Sequence, residues 1–151
     1  MPKYNPNAEQ PVYETIKGTF PFEIVNVEQL TSGGQKTNGL PERKLTLKFY
    51  RSADFKEPIA QFSDSLYDDS HLPENEQKCA WKFSVVARCV GVEVKPGEGF
   101  DIDESWKGFR GFAECEPQKG IKDPTKIFNR VKRYLTDQPA MPPNKVEDPF
   151  A

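Results

Sequence analysis

The sequence predicts a mainly β chain: three strands, one helix, then two more strands. Three observations carry that expectation. Eighteen aromatic residues and fourteen prolines in 151 residues favour strands broken by frequent turns over long helices. Apolar and polar residues alternate strictly through the forties. Leu45, Leu47 and Phe49 fall on one side, and Lys44, Thr46, Lys48 and Tyr50 on the other, which is the period of a half-buried strand. One stretch, residues 74–90, switches to helical spacing, with Cys79, Phe83, Val86 and Val90 four, three and four residues apart.

The elements follow in order. Residues 1–11 are polar and rich in proline and asparagine, a flexible lead-in. From Tyr13 to Gln29, Ile16, Phe20, Phe22, Ile24, Val25 and Val27 gather into one long, bent strand. Pro21 within it calls for an edge position or a bulge, because proline donates no ladder hydrogen bond. Thr31 to Gly39 is a loop with Gly33 and Gly34 at its turn. The second strand spans Arg43 to Arg51, and a third from Ile59 to Tyr67 stops at the acidic turn Asp68-Asp69-Ser70.

Pro73 suits a first helical turn and Gly91 the stop after the last. At about 100° per residue, Trp81 points nearly opposite the apolar stripe. It either packs beneath the lead-in or a loop, or contacts a partner or DNA beside Lys78 and Arg88. An acidic linker (Glu98, Asp101, Asp103, Glu104) leads to a glycine-bent strand from Trp106 to Cys115, then a loop from Glu116 to Thr125. The last strand, Lys126 to Leu135, places Phe128, Arg130, Lys132 and Tyr134 on one face by alternation; Asn129, Val131, Arg133 and Leu135 take the other. From Thr136 onward, four prolines without apolar periodicity predict a disordered tail over 136–151.

A hydrophobic content of 36% supports one core, placed in a single domain over residues 12–135. Three strands, a helix and two strands is the order of the OB-fold, a five-stranded, partly open barrel with its helix between strands 3 and 4.

Charge is unevenly distributed. Residues 107–135 hold eight Lys or Arg against three acids, whereas residues 54–106 hold five bases and twelve acids. Within the basic stretch the cations alternate with Phe109, Phe112, Phe128 and Tyr134. Cations interleaved with rings suit a polyanion made of stackable bases, and the acidic stretch is expected to face away from it.

Other chemistry finds little support. His71 stands alone beside Asp68 and Asp69, and no serine or cysteine nucleophile motif surrounds it. Asp101 and Asp103 lack a third ligand, and the glycines of residues 33–39 lack the Gly-Lys-Ser/Thr ending of a phosphate loop. Three cysteines (Cys79, Cys89, Cys115), one histidine and no C-x-x-C pair predict reduced, structural thiols and no zinc site. We therefore expect no enzyme, no cofactor and no metal. There is no run of about 18 apolar residues and no signal-peptide core at the N-terminus, so a cytosolic protein is expected.

These residues resemble the small single-stranded-DNA-binding proteins of tailed bacteriophages. The likeness covers about residues 12–135. It rests on the Ser32-Gly33-Gly34 loop after a strand-rich start, the helix stopping at Gly91, Trp106-Lys107-Gly108-Phe109-Arg110-Gly111 opening a strand, and the closing Asn129-Arg130-Val131-Lys132-Arg133-Tyr134. The resemblance implies an OB-fold core that binds single-stranded DNA with little sequence preference, in phage DNA replication and recombination. The tip Glu147-Asp148-Pro149-Phe150, followed by Ala151, is similar to the acidic tails with which such proteins recruit replication and recombination partners.

The expected DNA-binding residues are Lys48 and Tyr50 on the second strand, Phe109 and Arg110 on the fourth, and Arg130, Lys132 and Tyr134 on the last. Cations would meet phosphates, and rings would stack on bases. The Arg130/Lys132/Tyr134 face is expected to meet the Lys48/Tyr50 face across the barrel. The alternative is a non-enzymatic virion or interaction protein that uses the same barrel for protein contacts. Nothing in one chain separates monomer from dimer.

Overall fold

The computed structural model describes residues 14–33, 39–94, 100–120 and 123–137. The lead-in before residue 14 and the tail from 138, including Glu147, Asp148, Pro149 and Phe150, lie outside the described residues. Five antiparallel strands form one sheet: β1 (Gly18–Thr31), β2 (Pro41–Tyr50), β3 (Pro58–Tyr67), β4 (Arg110–Lys119) and β5 (Ile127–Tyr134). Their order is β3-β2-β1-β4-β5. Among the described residues a single α-helix, α1 (Trp81–Cys89), lies between β3 and β4, with short 3₁₀ turns at Glu74–Glu76 and Glu104–Trp106. Among the described residues, no helix is long and apolar enough to cross a membrane.

Alternation sets the inner face. Phe22, Ile24 and Val27 of β1 pair with Phe49, Leu47 and Leu45 of β2, and all six are buried. Phe22 packs against Phe49 with ring centroids 5.7 Å apart, and Phe49 stacks on Phe62 of β3 at 4.9 Å. Each fully buried side chain of this size stabilises the fold by roughly 1.5–3 kcal/mol. The helix adds Val86, Ala87, Cys89 and Val90 to the same core. Gly111 lies where a Cβ would stand 2.7 Å from the Cys89 Sγ and 3.1 Å from the Phe22 ring, so glycine is what lets β4 approach the helix.

Pro21 sits in the central strand, yet locally it has one neighbour. β1 pairs with β4 over Gly18–Glu23, and its ladder with β2 starts at Phe22. The edge position expected for Pro21 therefore exists within β1 itself. A bulge follows between Ile24 and Asn26.

The helix is shorter than its periodic stretch. Nine residues form a marginal helix on their own, and Ala80 at the N-cap makes no side-chain hydrogen bond. Asp69, 3% exposed, substitutes from the preceding turn. Its Oδ2 accepts the backbone N–H groups of Lys78 at 2.7 Å and Cys79 at 2.9 Å, and its Oδ1 accepts that of Ala80 at 2.8 Å. Burial pushes this carboxyl up, but the three donors outweigh it and hold it below the usual carboxylate value. At the far end Gly91 takes φ 82°, the left-handed stop that non-glycine residues resist.

The glycine-bent strand begins later than its sequence suggests. Trp106 is buried in a 3₁₀ turn, Phe109 precedes the strand, and β4 continues through Glu116 to Lys119 where a loop was expected. All three cysteines are free; burial raises the Cys89 and Cys115 thiols to about 12, which makes them poor nucleophiles at neutral pH.

Candidate nucleic-acid interface

The two outer strands of the sheet, β3 and β5, face one another across a seam. No backbone ladder joins them among the described residues, so the sheet is not closed. Side chains and one extended segment bridge the seam at two levels. The Tyr134 hydroxyl donates to Asp64 Oδ2 at 2.6 Å. Five residues earlier on both strands, the segment at 14–16 spans the gap. Its Glu14 N–H donates to the Ile59 carbonyl at 2.8 Å, its Ile16 N–H donates to Asn129 Oδ1 at 2.8 Å, and Asn129 Nδ2 donates to the Glu14 carbonyl at 2.9 Å.

Beside the first bridge is a cleft of about 240 Å³, walled by Trp81, Val85 and Val131, rimmed by Lys82, Lys132 and Arg133, and floored by Asp64 and Tyr134. A second cleft of about 230 Å³ continues from it along Ser63, Gln118, Asn129 and Arg130. The two share Asp64, Lys82 and Val131, so they form one groove along the seam.

Trp81 is 59% exposed, and its indole N–H donates to the Lys78 carbonyl at 2.9 Å. Because Asp69 grips the Lys78 N–H, the carboxylate that caps the helix also orients the ring. Helical phase placed Trp81 away from the apolar stripe, and the described part of the structure leaves it largely uncovered. Lys82, which follows it, and Arg133 were not among the expected site residues; their signal in the sequence was adjacency to Trp81 and to the basic run of the last strand.

The β5 cations are partly balanced. Arg133 and Lys132 lie 2.8 and 3.5 Å from the Glu114 carboxylate, and Arg130 lies 3.7 Å from Glu116. Exposed pairs of this kind contribute about 0–1 kcal/mol each, so a phosphate can displace the glutamate at little cost. At the near end of β5, Ile127 and Phe128 are 56% and 54% exposed. The Phe128 ring lies across Gly120, where a Cβ would stand 3.0 Å from it. Exposed Lys119 and Lys126 flank this hairpin.

The seven expected residues divide into two groups. Lys48 stands on the outer face of β2, opposite Glu23 and Gln61. Tyr50 stays on the Lys48 side of β2, with the Lys48 Nζ 5.8 Å from its ring, but is only 9% exposed because that ring packs edge-on against Phe55 at 5.0 Å. Arg110 is held by Glu23 at 3.0 Å and lies 3.9 Å over the Phe55 ring. Phe109 is partly buried against Trp106, with centroids 5.7 Å apart. Arg130 and Lys132 are at the seam.

Tyr134 is a correction. It is 9% exposed, with its ring 5.8 Å from Phe22. The reason is a bulge: Glu114 faces Arg133 but Cys115 faces Val131, so Lys132 is the extra residue. Alternation breaks there, turning Tyr134 inward while Phe128 and Arg130 stay outside. In the sheet order β3 lies between β2, which carries Lys48, and the seam that β5 borders with Arg130. Asp64, from the acidic stretch expected to face away, lies in the groove floor.

Compared with known proteins, the chain matches no family model and no curated sequence.

Proposed function

We propose that this protein is a non-enzymatic, largely sequence-independent single-stranded-DNA-binding protein, with its sheet completed into an OB-type barrel across the β3–β5 seam. The observation that carries the reading is the exposed Trp81 ring in a groove rimmed by Lys82, Lys132 and Arg133. A stackable ring beside phosphate-sized cationic sites is what an unpaired strand needs. Arg130, Lys132 and Arg133 take phosphates; Trp81 and Phe128 take bases. Lys48 and Arg110 lie on a separate face and serve as secondary electrostatic contacts. Tyr50, Tyr134 and Phe109 support the fold. The resemblance to phage proteins adds the setting, replication and recombination in the host cytosol, and a role for the 147–150 tip in partner recruitment.

The test is fluorescence titration with a single strand and a duplex of equal length. Preference for the single strand, quenching of Trp81 and steep weakening with salt support the reading. Replacing Trp81 by alanine is expected to cost about 1–3 kcal/mol of affinity, and neutralising Arg130 and Arg133 to lower the salt slope by about 0.7 per lost phosphate contact. No retention of either nucleic acid at low salt refutes it. The exposed Ile127 and Phe128 on an outer strand favour one second reading, a protein-contact module; polar substitution of both would then abolish assembly without touching DNA.

A further inference from the structure

We propose that the Trp81 cleft seats a single unpaired base and favours one with an exocyclic amino group, cytosine over thymine, because Asp64 is the hydrogen-bonding group at its floor. This rests on the single-strand reading above and adds a preference to it.

Size and shape come first. At about 240 Å³ the cleft falls below the roughly 300 Å³ at which pockets for drug-sized ligands begin. One planar ring fits that scale. The walls are the Trp81 ring and the aliphatic Val85 and Val131, suited to the faces of a base. The rim cations Lys82, Lys132 and Arg133 suit its flanking phosphates.

The floor supplies the selection. Among the described residues lining it, the one hydroxyl proton, that of Tyr134, is already given to Asp64 Oδ2 at 2.6 Å. An ionised carboxylate has about four acceptor sites and no donor, so the floor offers acceptance to whatever enters. Cytosine presents its N4 amino donors at the corresponding edge, the match by which Asp and Glu read cytosine in duplexes; thymine presents the O4 acceptor there instead. Burial pushes the Asp64 carboxyl up, opposed by the Tyr134 hydroxyl and by the Lys82 and Arg130 charges. A desolvated carboxylate gains more from a new donor than a hydrated one does.

The experiment compares oligo-dC and oligo-dT of equal length at neutral pH and fixed salt. A third strand carries pyrimidin-2-one bases, which lack the amino group without adding bulk. The intact protein is expected to bind oligo-dC roughly tenfold more tightly than oligo-dT, the discrimination one such contact gives. The pyrimidin-2-one strand is expected to fall to the oligo-dT level. Asp64→Asn, checked for folding by circular dichroism, is expected to bring the ratio close to one. Equal, salt-sensitive binding of oligo-dC and oligo-dT overturns the inference and leaves the single-strand reading standing. So does undiminished binding of the pyrimidin-2-one strand, which needs no protein variant. Failure to bind any strand at low salt overturns both.

Discussion

Replacing Asp69 by alanine tests how the helix and the Trp81 ring are held. The substitution removes three hydrogen bonds of 2.7–2.9 Å from a buried carboxylate to the backbone just before α1. Bonds to charged groups contribute roughly 1.5–3 kcal/mol each. Water refills part of the vacated site, however, and removing a helix N-cap costs at most about 2 kcal/mol. With three donors affected, we expect a loss of about 2–4 kcal/mol, or a melting temperature lower by about 4–16 °C for a chain of this size. Asparagine keeps one acceptor oxygen but turns an amide N–H toward the other donors, so it should fall between.

The pH dependence sharpens the test. The folded-state pKa of Asp69 lies below its unfolded value. Its contribution is therefore complete above about pH 4 and is lost as the pH falls through the lower folded value. Urea denaturation at several pH values should show the gap between parent and Asp69→Asn closing on acidification. Because Lys78 links Asp69 to the indole N–H, Trp81 emission should shift in the folded alanine variant. An alanine variant within about 0.5 kcal/mol of the parent at neutral pH, or a gap that widens in acid, refutes the reasoning.

Two further expectations concern the core and the seam. Gly111→Ala forces a Cβ against Cys89 and Phe22; we expect a loss of about 1–3 kcal/mol by thermal or urea denaturation, and no loss would mean the helix can move aside. Tyr134→Phe strips the hydroxyl from Asp64 and should cost about 1–3 kcal/mol at neutral pH. Desolvation raises the Asp64 pKa in the folded state, and losing the hydroxyl raises it further. The variant should therefore recover stability as the pH falls toward the unfolded value, and the idea fails if its deficit is constant with pH.

Much of the architecture was legible in the chain, because alternation and helical spacing are local signals. The β2 inner face (Leu45, Leu47, Phe49) and the outward phase of Trp81 follow from spacing alone. What escaped is set by pairing. Lys132 is an extra residue only because Glu114 and Cys115 face Arg133 and Val131, and no feature of β5 by itself announces that. Tyr50 is covered by Phe55 from the turn after β2, a contact that the strand's period does not announce. Asp64 read as one acid among twelve; only the approach of β5, seventy residues on, makes it the floor of a groove.

The way β1 divides its pairing bears on how the molecule assembles. It serves β4 up to Glu23 and β2 from Phe22 onward, so only Phe22 and Glu23 belong to both ladders. The protein is thus two meanders that share one strand. Strands β1–β3 form one through near neighbours in sequence, and β4–β5 form the other. Their union requires Glu23 to find Arg110, 87 positions away, and such distant closure is slow because its entropy is lost before any contact compensates. Phe22 and Glu23 then act as a keystone pair, one fastening the apolar side of the joint and the other, through Arg110, its polar side.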